Sequence, residues 1–191
     1  LLGRRQAFAY RACVIGFLRF VGVLNAAVWF GSAIFFTFIA GPSVFSEDMK
    51  NLLGSKYFPY YSGAIAEIIL ARYFQLLLIC GVIAFCHVLG EWLYFGKSPR
   101  NAWVGLLAGL LLAALLGGAV IQPHLKRLHT TQYAVNTRPE EKEAAHRSFR
   151  VWHGTAQAIN LLMLAGLGVY LWRMTNASEP TRFVSTPKFR S

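Results

Sequence analysis

Acidic residues are scarce in this chain. Eight Asp and Glu stand against nineteen Lys and Arg in 191 residues, for a formal net charge of +11, and charged residues of both signs together make up only 14%. One soluble domain of this length draws on more charge to cover its surface, so the soluble globular class is excluded. Cysteine is equally rare. Of Cys13, Cys80 and Cys86, the last two are six apart and fall on different faces of a helix, so neither a disulfide framework nor a thiolate metal site is implied. The chain also lacks a Walker A loop, a Gly-x-Ser-x-Gly elbow, a His-Glu-x-x-His pair and a Cys-x-x-Cys pair. These absences lean the reading away from an enzyme and leave no catalytic residue to assign.

What the chain has instead is apolar length. Hydrophobic residues make up 55% and the mean hydropathy is positive. Four runs, 20–40, 73–90, 102–121 and 151–172, are long and uncharged enough to cross a hydrocarbon core that needs about 20 apolar residues. His87 and His153 are the titratable nitrogen bases inside them. Arg4, Arg5, Arg11 and Arg19 before the first run resemble a signal-peptide flank. The run is longer than such a segment requires, however, and its small-residue pattern Gly31-Ser32-Ala33 lies inside it, so it reads as a retained helix.

The fold class expected is therefore all-α: an antiparallel four-helix bundle in a membrane, with spans at about 14–40, 64–95, 101–122 and 151–173. A basic segment, 1–13, precedes it and a basic tail, 174–191, follows. The first helix is expected to stop at Gly41-Pro42, because proline disfavours helical geometry in the residue before it. Tyr57 to Tyr61 suit a membrane interface, and the short turn 96–100 makes helices two and three adjacent. Residues 122–150 form the longest connection, expected to be largely helical: Thr137, Pro139 and Glu140 read as a helix start, and Glu143 is placed to pair with Arg147.

Basic residues flank the spans, which points to anionic lipid headgroups as partners rather than nucleic acid. Lys and Arg divide almost evenly between the two sides. Those on the side of the termini lie closer to span ends, so both termini are expected in the cytoplasm, in a bacterial inner membrane.

Polar groups within the spans are the candidates for chemistry. Asn25 and Asn160 fall near mid-depth, where an interhelical hydrogen bond or the lining of a substrate path would use them, and Arg72 is grouped with them. Gly105, Gly109, Ala113 and Gly117 recur every four residues on one face and suit close helix packing, as do Trp29 and Gly31. A metal site would fall to His124, His153 and Glu67, since imidazole and carboxylate are common ligands. Ordinary hydrogen bonding of interfacial residues to backbone or headgroups is the favoured account of them, and no cofactor is expected. Haem is disfavoured because His87 lies toward the opposite face from His124 and His153.

Several blocks resemble the transmembrane protein 205-like domain family. They are Ala27-Val28-Trp29-Phe30-Gly31 with Phe35-Phe36, then Gly41-Pro42 and Phe45, the Tyr57-Phe58 pair, Arg72, Gln122-Pro123, and Phe149 to His153 leading to Asn160. The resemblance implies a four-helix membrane protein of undefined activity. It picks out Trp29, Gly31, Pro42, Arg72, Pro123, His153 and Asn160. Together these features lead to an expected structural or accessory subunit that associates with other membrane subunits or with itself. The alternative is a small transporter or ion- or metal-binding protein using the polar residues of the bundle.

Overall fold

The computed structural model describes residues 2–96 and 101–176, with side chains from residue 14 onward apart from 94 and 95. The 97–100 turn, and the part of the basic tail from 177 onward, lie outside the described residues.

The elements in chain order are α1 (Leu2–Phe35), a π-helical turn (Phe36–Ala40), α2 (Gly41–Val44), α3 (Glu47–Leu53), α4 (Phe58–Phe95), α5 (Asn101–Leu116), a second π-helical turn (Gly117–Ile121), α6 (Gln122–Tyr133) and α7 (Pro139–Asn176). No strand occurs among the described residues. Four stretches, Val14–Val44, Phe58–Leu93, Asn101–Tyr133 and Pro139–Asn176, are long and apolar enough to cross a membrane.

Side-chain contacts fix the arrangement. Asn25 of α1 meets Cys80 of α4, and the ring of Trp29 lies near Gly81. Leu111 of α5 also lies near Gly81, while Gly117 lies against Phe74. Leu110 packs near Gly166 of α7, and Trp29 meets Tyr170. Neighbours therefore run antiparallel around a ring ordered α1, α4, α5, α7, with α1 and α5 on one diagonal. The ends nearest the chain termini form one side of the bundle; α3, α6 and the start of α7 form the far side.

The core is tightest in the half nearest the termini. Trp29 is fully buried, and alanines at 26, 33, 84 and 114 let it, Leu77, Leu167 and Tyr170 fill the space between backbones. Close approach through small residues is how helices associate where lipid is as apolar as the side chains. Gly96 ends α4 in the left-handed region at φ +65°, its N–H donating to the Trp92 carbonyl at 2.9 Å. Glycine adopts that conformation without steric cost.

Several helix ends differ from the expectation drawn from sequence. The first helix passes through Gly41-Pro42 and continues to Val44. The π turn directly before the proline explains this. Proline has no N–H and its ring collides with the carbonyl four residues back; widening the preceding turn by one residue moves that carbonyl away. The Gly41 N–H then donates to the Phe36 carbonyl. The third span uses the same device: the Gln122 N–H donates to the Gly117 carbonyl, and the helix passes Pro123 to reach Tyr133. The α4 helix also begins earlier than expected, at Phe58, because Pro59 sits in its first turn, where no N–H is needed.

The far-side connection is helical. The α6 helix packs along the first turns of α7, and Glu143 pairs with Arg147 at 2.7 Å. At about 1.5 Å per residue the 38 residues of α7 exceed the hydrocarbon thickness, so its beginning projects beyond the span.

The small-residue ladder of α5 divides in two. Gly117 is buried against Phe74 and Ala113 is packed at the core, whereas a Cβ at Gly105 or Gly109 would meet nothing within 4 Å. Gly117→Ala should therefore lower stability by about 1–3 kcal/mol through overpacking, while Gly105→Ala should leave it unchanged or slightly raised. Melting of the two variants in the same detergent checks the contrast.

Candidate functional site

Both π turns face one cavity. Its volume is about 560 Å³, and it lies in the far half of the bundle between the π-helical turn after α1, the first turns of α4, the junction of α5 with α6, and α7. Phe36, Leu70, Phe74, Ile121, Leu125 and Leu161 make most of its wall apolar. The polar groups on it come from every spanning helix: Thr37, Glu67 and Tyr73, Gln122 and His129, and His153, Gln157 and Asn160.

One set of these polar groups is closed upon itself. The Asn160 Nδ2 donates to Thr37 Oγ1 at 2.8 Å, and the Thr37 hydroxyl donates to the Ala33 carbonyl at 2.7 Å. The Tyr73 hydroxyl donates to Asn160 Oδ1 at 3.1 Å. Phe36 stacks on the Tyr73 ring, with centroids 4.1 Å apart and planes 9° from parallel. Three helices are thus joined by side-chain hydrogen bonds at the cavity's inner end. Away from water such bonds replace unsatisfied groups and hold the helices in register.

The far-side end carries charge. Glu67 of α4 places Oε1 3.2 Å from His129 Nδ1 and Oε2 3.7 Å from Lys126 Nζ, both of α6. His129 is 6% exposed, and aromatic rings surround it: Tyr60 lies nearly parallel at 5.7 Å, Tyr133 edge-on at 5.0 Å and Phe149 at 6.3 Å. The Gln122 side chain donates to the Glu67 carbonyl at 3.4 Å.

Of the residues singled out from sequence, Asn160, Glu67 and His153 line this cavity. Asn25 lies in the other half, buried, with Nδ2 donating to the Cys80 carbonyl at 2.9 Å. Arg72 is exposed, and its guanidinium donates to Gln75 Oε1 at 3.0 Å on the same helix. Gly31 is exposed with open space around it. The grouping of Glu67 with His124 and His153 is not what the structure assembles. His124 packs on Trp152 at 4.7 Å, His153 stacks on Phe149 at 5.7 Å, and Glu67 turns to His129. Among the described residues no three His, Cys, Asp or Glu side chains gather closely enough to hold a metal ion. Sequence reasoning missed His129, Thr37 and Tyr73. The available signal was depth: Glu67 and His129 both lie just beyond the far end of an uncharged run.

These features define a multi-pass α-helical membrane protein with a partly polar cavity inside its bundle. The chain belongs to the family described as a domain of unknown function, DUF4149, whose model matches residues 24–134. That match takes in Trp29, Thr37, Pro42, Glu67, Tyr73, Pro123 and His129 and stops short of α7. No curated protein and no solved structure matches the chain.

Asn160→Leu should cost about 1–2 kcal/mol, because it removes the partner of both Thr37 and Tyr73. Thr37→Val should cost less in that background than in the wild type. A double-mutant cycle on unfolding in detergent measures the coupling, and strict additivity would argue against a shared network.

Proposed function

We propose that the protein is a binding protein of the membrane that takes up a lipid-like small molecule in the far-half cavity. The observation that carries this reading is the cavity itself: an apolar-walled space of about 560 Å³ with a few convergent polar groups, within the size and character of small-molecule sites. The π turns support it further, since such turns are frequent at functional sites. The notion of a small transporter using Asn160 belongs with this reading. Binding is its first step, and four helices leave little room for alternating access without oligomerisation.

A second reading, an accessory subunit without catalytic activity in a larger membrane assembly, is favoured by the outer face of α5. There Gly105 and Gly109 leave room for the close approach of another helix, from a different subunit or a second copy. The resemblance to the transmembrane protein 205-like family agrees with both readings. Placement in a bacterial inner membrane, with both termini cytoplasmic and basic flanks on anionic headgroups, is supported by the position of Lys and Arg near the span ends on the side of the termini.

The cavity reading is tested with a long-chain alcohol carrying a diazirine, photolysed in the presence of the protein in lipid nanodiscs. Labelling should concentrate on cavity residues such as Phe74 and Leu161 and fall at least about fivefold in Ala156→Trp, which fills the space, as a lost binding site requires. Labelling spread evenly over lipid-facing side chains, and unchanged in Ala156→Trp, would overturn it. Extraction in mild detergent tests the second reading: a stoichiometric membrane partner should copurify and be lost in Gly109→Leu. Recovery of the chain alone would count against it.

A further inference from the structure

The geometry points to His129 Nε2 as the head-group acceptor of this cavity, and to an uncharged lipid-like alcohol or phenol as the molecule it takes. The inference rests on the cavity reading above and adds the chemistry of the ligand's polar end.

Most polar groups on the cavity wall already have partners. At the inner end, the donors of Thr37 and Tyr73 are committed, the first to a backbone carbonyl and the second to Asn160. At the far-side end, the charge of Glu67 is answered by Lys126 at 3.7 Å and by His129 at 3.2 Å. A cationic head is therefore not called for. One buried group on the wall remains unanswered: His129 Nε2 has no hydrogen-bond partner among the described residues.

Its tautomer follows from its neighbour. A carboxylate accepts and does not donate, so Nδ1, facing Glu67 Oε1, is the nitrogen that carries the proton in the neutral ring, and Nε2 is then the one with the lone pair. A buried acceptor without a donor is destabilising. A ligand that donates a hydrogen bond there removes that cost, and one without a donor does not. This is the circumstance in which sites discriminate strongly between a hydroxyl and its absence.

The surroundings place this edge at the cavity wall. Nε2 lies against Gly63, itself part of the cavity wall, where a Cβ would collide with the ring. A side chain at position 63 would take the place that this edge of the ring occupies beside the cavity. Tyr60 lies nearly parallel to the ring and covers its face. The rest of the molecule would lie along Phe74, Leu125 and Leu161.

The test compares two diazirine probes of equal chain length, an alcohol and its methyl ether, on the full chain in nanodiscs. Wild type should be labelled in the cavity by the alcohol at roughly tenfold lower concentration than by the ether, the preference that one neutral hydrogen bond of about 1.4 kcal/mol gives. His129→Phe, which keeps the ring and removes the acceptor, should label equally with both. Equal labelling of wild type by the two probes, or a preference that persists in His129→Phe, overturns the inference while leaving the cavity reading intact. Absence of cavity labelling by either probe overturns the cavity reading itself. If His129→Phe does not fold, wild type bearing 15N-labelled histidine decides. Alcohol should move an imidazole Nε2 resonance and ether should not; no movement with alcohol refutes the assignment.

Discussion

Two prolines set the shape of this bundle. In a bilayer a backbone carbonyl cannot turn to water, so a helix that loses an N–H to proline must satisfy its neighbours internally or break. Pro42 and Pro123 each impose that condition inside a wall of the bundle, and each is preceded by one π-helical turn that moves the carbonyl ladder past the pyrrolidine ring. Because α1 and α5 run in the same direction, and both prolines lie toward their far ends, the two widened turns fall in the same half of the molecule. The helices on one diagonal are thus widened by a π turn in the half that holds the cavity.

The other half shows what the same helices do without that constraint. There, Ala26, Ala33, Ala84 and Ala114 bring backbones together around Trp29 and Tyr170, whose rings meet edge-on at 6.1 Å. The polar side chains in this half turn to backbone carbonyls: Asn25 donates to Cys80, and the His87 Nε2 lies 2.8 Å from the Leu18 carbonyl. Gly22 leaves the place the His87 ring occupies, since a Cβ there would come within 2.6 Å of it. One half of the bundle is closed by small residues against large ones, and the other keeps a cavity beside its π turns and is bridged by Thr37, Asn160 and Tyr73.

Hydropathy made the membrane class and the four helices legible, because an uncharged run of about 20 residues matches the thickness of a hydrocarbon core. The Glu143–Arg147 pair was legible too, being a matter of spacing along one helix. The passage of two helices through Gly-Pro and Gln-Pro was not. Local preference says a helix ends before proline, and only the packing of the whole bundle makes continuation through a π turn the better solution. The partners of the polar residues were hidden for a related reason. Spacing says which residues of one helix share a face, but not that Asn160 meets a threonine of α1, or that Glu67 of α4 meets His129 rather than His124 of α6.

That last pairing explains why the far-side extension matters to the cavity. An exposed ion pair such as Glu67 with Lys126 contributes little alone. The Glu67–His129 contact is different because the imidazole is 6% exposed, so separating the two would leave polar atoms unpaired where water does not reach. The contact ties the first turns of α4 to α6, and α6 in turn lies along the projecting start of α7. Tyr60, Tyr133 and Phe149, one from each of these helices, close around the same ring. The extension is therefore part of the cavity's construction: a bundle ending at its hydrophobic boundary would leave Glu67 without its histidine and the cavity without one of its walls.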